Sequence, residues 1–283
     1  MFHVQNLYYL GPDGSNSHNA VIKFLNICKP DITNKIPQKS IKFALKELEQ
    51  DKNSIAVLPI ENSIEGLVRE TIDNFVKIND LSVKIQGELA LPIKHILMAK
   101  SSNINEIKKI YSHPQAFAQC SKYLYEKFPY VELKEVSSTS YAAEKVSFDN
   151  DNTIAAIANE TCSDIFGLNI LATDINDEKD NQTRFYILGR TPIEKNNKNK
   201  TAVMISPKVN RAGALCDILQ ILAKYNINLS YIDSRPSKRH LGEYLFFMEL
   251  DGLEEDTEIK SALKELNEYA EFLKILGSFS IYS

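Results

Sequence analysis

Asn181-Gln182-Thr183-Arg184-Phe185 sets a hydroxyl, a permanent positive charge and an aromatic ring side by side. The apolar run Tyr186-Ile187-Leu188-Gly189 follows, so these groups stand at the mouth of a predicted strand. They suit a small anion that must lose a hydroxyl: one donates a hydrogen bond, one neutralises charge, one packs on a ring. Three such residues recur by chance, and their meaning comes from the other polar turns of the chain. These are Gly11-Pro12-Asp13-Gly14-Ser15-Asn16-Ser17-His18, Glu61-Asn62-Ser63, Ser112-His113-Pro114-Gln115, Ser137-Ser138-Thr139-Ser140 and Asn159-Glu160-Thr161. Each is rich in residues that cap the unpaired N–H groups of a helix start, and Pro114 suits a first helical turn. Capping is the plain reading of any one of them. As a set they offer more, because helix N-termini bind anions and ligands of open α/β sheets sit at the carboxyl ends of strands. The turns are therefore expected to converge on one cleft.

The elements that would position them alternate. Strands are predicted at Asn6–Leu10, Ile55–Ile60, Ile107–Tyr111, Val131–Val136 and Ile154–Ala158. Helices are predicted at Leu67–Val76, through Phe117, Cys120, Tyr123 and Leu124, at Tyr141–Val146 and at Cys162–Phe166. This order implies an α/β fold with largely parallel sheets. Residues 191–200 are polar and charged, as in a linker. Residues 201–283 then read βαββαβ, a ferredoxin-like sandwich. Its helices carry Leu215, Ile218, Leu219, Leu222 and Ala223, then Ile259, Leu263, Leu266, Tyr269 and Ala270, at helical spacing.

A chain of 283 residues favours more than one domain. A net charge of -4 argues against nucleic acid as a partner. No apolar run reaches a membrane span, and the N-terminus lacks a basic stretch ahead of an apolar core, so a cytoplasmic location is expected. Cys28, Cys120, Cys162 and Cys216 are far apart and are expected to be small buried apolar residues, neither disulfides nor zinc ligands. No nucleophile elbow, P-loop or dinucleotide fingerprint occurs. Pro12 also removes an N–H from the first turn, so that turn is a poor phosphate loop. The five histidines form no metal triad. The chemistry must run on hydroxyls, amides, helix dipoles and one arginine.

Across these motifs the chain resembles prephenate dehydratases. The likeness rests on residues 11–18, on Pro59-Ile60-Glu61-Asn62-Ser63-Ile64-Glu65-Gly66, on Ser112-His113-Pro114-Gln115-Ala116, on Ser138-Thr139, and on Asp177 through Phe185. The tail resembles the ACT domain appended to that enzyme, through Gly213-Ala214-Leu215, Asn228-Leu229-Ser230 and Asp233-Ser234-Arg235-Pro236. The resemblance implies conversion of prephenate to phenylpyruvate in phenylalanine biosynthesis, without a cofactor, with phenylalanine as feedback effector. It implies two lobes like those of periplasmic binding proteins, about 1–85 with 170–190 and 86–169, closing over the substrate. It also implies a homodimer or homotetramer assembled through the ACT domain, with phenylalanine at the interface.

Carried over by motif, Thr183 is the donor at the leaving hydroxyl, acting by hydrogen bonding because its hydroxyl is a very weak acid. Asn62, Ser63 and Gln115 orient the substrate, and Ser112, Ser138 and Thr139 bind carboxylate oxygens. Arg184 has two readings: it neutralises a substrate carboxylate, or it braces the turn against an acid such as Asp177. Phe185 lines the ring pocket or belongs to the core. Glu61 is a positioning group or a helix-capping acid, and His113 is a structural cap. In the tail, Gly213, Ala214 and Leu215 would receive the phenylalanine carboxylate, and Asn228, Asp233 and Ser234 its amino group. The chain departs from the family at Asn16 (Phe there), Ala212 (Pro) and Asp233 (Glu), which weakens the regulatory expectation more than the catalytic one. An arogenate dehydratase fits the same residues. A sensor with a closing cleft and no turnover is the competing class, and the hydroxyl of Thr183 weighs against it.

Overall fold

A computed structural model describes residues 3–209, 211–236 and 244–282. The chain starts with β1 (His3–Leu10), α1 (Asn16–Cys28), β2 (Asp31–Gln38), α2 (Ile41–Gln50), β3 (Ser54–Asn62), β4 (Gly66–Leu67), α3 (Arg69–Phe75) and β5 (Lys84–Pro92). It crosses to a second lobe of β6 (Ile96–Ala99), β7 (Lys109–Ser112), α4 (Pro114–Gln119), α5 (Ser121–Lys127), β8 (Glu132–Glu135), α6 (Thr139–Phe148), β9 (Ile154–Ala158), α7 (Glu160–Phe166) and β10 (Asn169–Ala172). It returns as β11 (Gln182–Gly189) and ends in β12 (Asn199–Pro207), α8 (Ala214–Lys224), β13 (Leu229–Pro236), β14 (Tyr244–Asp251), α9 (Thr257–Tyr269) and β15 (Ala270–Tyr282).

These strands make two sheets. The second lobe holds a five-stranded sheet in the order β10-β6-β9-β7-β8. The first lobe and the C-terminal module share one ten-stranded sheet, β13-β14-β12-β15-β5-β11-β3-β1-β2, with β4 beside β3. The module's own order, β13-β14-β12-β15, is that of a ferredoxin-like sandwich. The lobe boundary differs from the expected one: β5 belongs to the first lobe and β10 to the second, so the crossings fall at 93–95 and 173–181. The sheets are also less parallel than expected. β1 pairs parallel with β2 and β3, but β11 re-enters from the other lobe and runs antiparallel to β3 and β5. The predicted helix through Phe117 and Leu124 is two short helices, broken at Cys120, whose φ of -120° and ψ of 18° are not helical.

Burial follows the two-residue period of strands. On β11, Phe185 and Ile187 join a core under α1 with Val21, Phe24 and Val57. Tyr186 and Leu188 face the other way, into a core with Leu45, Leu48, Ile72 and Phe75. That second core also contains Ala202, Met204, Phe247 and Phe279, so it runs without a break into the C-terminal module. Cys120 and Cys162 are buried as expected, whereas Cys28 is only half-buried and Cys216 is exposed on α8. Among the described residues no helix is long and apolar enough to cross a membrane.

The seam between module and lobe is a close backbone approach. Ser280–Tyr282 pair parallel with Gly87–Leu89. Just before them, Gly277 (φ 153°) lies so near β5 that a Cβ would collide with the Ile85 backbone. Neither chain has a flexible side chain there to give way. Gly277→Ala is expected to destabilise the protein by about 1–3 kcal/mol, the usual cost of overpacking, seen as a lower urea midpoint at unchanged slope.

Candidate active site

The predicted turns do converge. A cleft of about 480 Å³ between the lobes is lined from the first lobe by Pro12, Ser15, Asn16, Ser17, Asn62, Glu65 and Thr183. The second lobe supplies His113, Gln115, Gln119, Ser138, Thr139 and Ser140. The crossings supply Ile93, His95 and Asn181. Hydrogen bonds between the lobes hold them around it. The Ser140 hydroxyl donates to the Asp13 carbonyl, and Asn159 Nδ2 donates to the Gly14 carbonyl at 2.6 Å. Gly14 has φ 78°, and a Cβ there would lie 2.9 Å from both Cys162 Sγ and Ser140 Oγ, so glycine is what permits this approach. Asn16 stands at this rim, accepting from Asn159 Nδ2 at 3.3 Å.

Thr183 accepts a hydrogen bond and keeps its own hydrogen available. In the β3–β11 ladder it faces Asn62. Asn62 Oδ1 accepts from the Ile64 and Glu65 N–H groups at 3.0 and 3.1 Å, which sets the amide's orientation. Its Nδ2 must then donate, to Thr183 Oγ1 at 2.9 Å and to Asn181 Oδ1 at 2.8 Å. With its oxygen engaged, the Thr183 hydroxyl keeps its hydrogen for a ligand. Thr183 is only 8% exposed, so that donor works in a largely dry place.

The chain of amides continues to a residue that the sequence analysis passed over. Asn181 Nδ2 donates to Gln119 Oε1 at 3.3 Å, and the same oxygen meets His95 Nε2 at 2.9 Å. An oxygen acceptor there assigns the proton to Nε2 and leaves Nδ1 as a bare acceptor. Nδ1 is buried and has no protein partner. Burial depresses the imidazole's pKa, against a smaller upward pull from Gln119. The one sequence signal was a histidine inside the apolar run Ile93 to Met98.

Positive charge comes from the backbone. Among the described residues no Lys or Arg lines the cleft. The N-termini of α1 and α6 open on it, capped by Ser15, which accepts from His18 N, and by Ser138, which accepts from Tyr141 N. Their aligned dipoles each act as a partial positive charge. His113 caps α4 through Nδ1, as expected.

Several predicted contact residues sit behind the cleft. Ser112 is wholly buried and donates to the Ile157 carbonyl at 2.7 Å, tying β7 to β9. Ser63 Oγ accepts from Gln182 N at 3.0 Å and bridges to Asn181 Oδ1. Glu61 pairs with Arg184 at 2.7 Å. Arg184 braces, but not against Asp177, which instead holds Ser121 Oγ and Lys122 N. Its guanidinium grips Glu61, Glu88 and Glu249 on the far face of the sheet, because alternation turns it away from Thr183. Its positive charge is thus not presented to the cleft. Phe185 combines both of its readings, being a core residue whose edge reaches the cleft. In the module, Gly213, Ala214 and Leu215 line a cavity of about 230 Å³ with Tyr244, Phe246 and Glu271, while Asn228, Asp233 and Ser234 do not line it.

The depressed pKa of His95 has a stability signature. Below the unfolded-state value of about 6.5, the unfolded chain takes a proton that the folded chain resists, so stability falls as pH drops from 7 toward 5. His95→Gln removes this contribution, and its loss of stability between pH 7 and pH 5 is expected to be smaller than that of the unaltered protein. Urea unfolding at the two pH values checks this, with His18, also depressed by burial, present in both proteins.

Comparison with known proteins gives the family. The prephenate dehydratase family model matches residues 7–193, and the ACT domain model matches residues 208–268. A prephenate dehydratase of Methanocaldococcus jannaschii is 37% identical over 276 residues, covering 97% of both chains. An arogenate dehydratase/prephenate dehydratase of Arabidopsis thaliana is 35% identical, over 96% of this chain and 72% of that one. The crystal structure of a prephenate dehydratase in complex with L-Phe, from Arthrobacter aurescens, superposes with a TM-score of 0.86 at 31% identity, covering 97% of this chain and 90% of that one. With its cleft donors in place and its tail matched as well, the chain belongs to the prephenate dehydratase family and carries a C-terminal ACT domain.

Proposed function

We propose that this protein converts prephenate to phenylpyruvate, CO2 and water in the cytoplasm, and that Thr183 is its catalytic donor. The observation that carries this is the Asn62–Thr183 bond, which leaves the Thr183 hydroxyl hydrogen free for a ligand in the cleft. In the reaction the bond from ring to carboxylate breaks and its electron pair enters the ring. The ring-to-hydroxyl bond breaks with its pair on oxygen, which takes up one proton and leaves as water. Thr183 stabilises the departing oxygen as charge builds there, a hydrogen bond that strengthens in the transition state. Gln115 orients the substrate. Ser138, Thr139 and the N-termini of α1 and α6 receive its carboxylates. Ser63, Ser112, Glu61 and Arg184 hold the shape of the cleft from behind.

The ACT domain, in this reading, binds phenylalanine and lowers the rate. Gly213 and Leu215 offer N–H groups to its carboxylate, and Ala214, whose N–H goes to the Arg211 carbonyl at 3.1 Å, lines the cavity between them. Asn228, Asp233 and Ser234 lie outside that cavity, and pairing of two modules in a homodimer or homotetramer would supply them from a second copy. The relative solved in complex with L-Phe supports phenylalanine as a ligand.

Thr183→Ala is expected to lower kcat by about 10²–10³-fold, the usual cost of losing one pre-organised hydrogen-bond donor, with KM changed little. Thr183→Ser keeps the hydroxyl and most of the activity. Formation of phenylpyruvate from prephenate measures both, and wild-type kcat in Thr183→Ala removes Thr183 from its role. Phenylalanine at saturation is expected to lower the rate by about 5- to 150-fold, the range of ordinary allosteric coupling, read in the same assay. An unchanged rate removes the effector and leaves the catalytic reading intact.

A further inference from the structure

The C-terminal module meets β11 at Arg184 and Tyr186: the Glu249 carboxylate binds both, the Tyr231 ring lies 5.9 Å from the Arg184 guanidinium, and Phe279 packs on Tyr186. Thr183 faces the cleft, and Arg184, next along β11, lies on the other face. In the β3–β11 ladder Thr183 stands opposite Asn62 and Arg184 opposite Glu61. The donor bond and the Arg184–Glu61 ion pair are therefore consecutive rungs, on opposite faces of one sheet.

Arg184 is held from three sides. Glu88 on β5 takes Nε at 2.9 Å and Nη2 at 2.6 Å. Glu61 on β3 takes Nη1 at 2.7 Å. Glu249 on β14 takes Nη2 at 2.6 and 2.8 Å. Of these three acids only Glu249 belongs to the module. It is 0% exposed, and its other contacts are Lys200 Nζ at 2.7 Å and the Tyr186 hydroxyl. Burial opposes its ionisation, but Arg184 and Lys200 outweigh that, and its carboxyl lies below the usual range.

The same strand touches the module's ligand cavity. Tyr244 and Phe246 of β14 line it beside Gly213, and Glu249 follows three residues later. A ligand seated there bears on the strand that grips Arg184. Other polar ties cross the seam: β15 pairs with β5, the neighbour of β11, and Lys84 of β5 donates to the Ile275 carbonyl. Arg235 binds Asp73 of α3 at 2.7 Å, and Lys274 binds the Val76 and Ile78 carbonyls at 2.9 and 2.8 Å. Neither touches β11.

We propose that Glu249 is a positioning residue for the dehydration: through Arg184 it sets the Asn62–Thr183 pair, and it is the contact by which occupancy of the module changes the rate. This rests on the function proposed above. A charged carboxylate held by two cations in a dry place resists small displacements, because parting the charges there is costly. Movement of β14 therefore has to carry Arg184 with it or break the cluster. Either outcome alters the rung beside the donor.

The test uses the full chain. Glu249→Gln removes the charge at nearly constant shape. Glu249→Gln with Lys200→Met removes both buried charges together and avoids stranding one of them. Lys274→Met loosens the seam without touching the catalytic strand. Thermal unfolding confirms that each is folded. Rates with prephenate, with and without phenylalanine, are set beside phenylalanine binding by calorimetry. For the Glu249 variants, a fall in kcat of about tenfold or more with KM within about threefold is expected. The rate ratio with and without phenylalanine moves toward one, while phenylalanine still binds. Lys274→Met behaves as wild type. Wild-type kcat and rate ratio in a folded Glu249 variant, or an equal loss in Lys274→Met, overturns the proposal. A wild-type chain that turns over without responding to phenylalanine overturns the regulatory half and leaves positioning to be judged by kcat. No turnover by the wild type overturns the proposed function itself.

Discussion

The Asn62 amide donates to the Thr183 oxygen and so leaves the hydroxyl hydrogen beside the cleft unspent. That amide is not free to turn over, because two backbone N–H groups occupy its oxygen. Its nitrogen then serves Thr183 and Asn181 together. From there the sense of each bond passes on through Gln119 to His95, so five side chains share one assignment of donors and acceptors. A polar network in a dry place is worth having only when its members are satisfied. This one closes at the Asn62 end on the backbone and ends at His95 Nδ1, which is buried without a protein partner. The hinge joins the two ends, since the crossing segments bond to each other at Ile93–Asn181 and Ile175–His95.

The placement of charge follows a second constraint. For the proposed reaction, a cation fixed against the ring carboxylate would stabilise the ground state that must be lost. Binding that favours substrate and transition state equally does not raise kcat. Helix N-termini and hydroxyls offer a gentler field, spread over several N–H groups. The arginine nearest the donor is turned to the other side of the sheet, where three carboxylates and Lys200 make it structural. Its permanent charge serves the frame of the site, and the cleft keeps groups whose hydrogen bonds can strengthen as the substrate changes.

Local features were the legible ones. The caps at Ser15, Ser138 and His113 depend on a few adjacent residues, and the structure has them where the turns predicted. The convergence of the turns was legible too, because it follows from where strands end in an α/β sheet. Direction was not. Ser63 and Ser112 have the right chemistry for a carboxylate but spend it on the backbone and on Asn181. The partners of Arg184 lie 65, 96 and 123 residues away in sequence, so no local pattern could have preferred them to Asp177. β2 was missed because Asp31–Gln38 is a polar edge strand with no apolar alternation. The lobe boundary was misplaced because a strand's sheet partners are set by pairing across the fold, and β5 finds its partner in β11.

The sheet that runs from β2 to β13 gives the two sequence families no matching break in hydrogen bonding. The last strand of the module lies against β5, the outermost strand of the catalytic lobe on that side. Cutting the chain at the linker would therefore strip β5 of its cover and bare the apolar surface around Tyr186 and Leu188. An unpaired, flat, partly apolar edge invites pairing with other molecules. A gene fragment that encodes only the lyase portion thus inherits a solubility problem, and the regulatory segment doubles as an edge protector whose removal carries a cost unrelated to feedback.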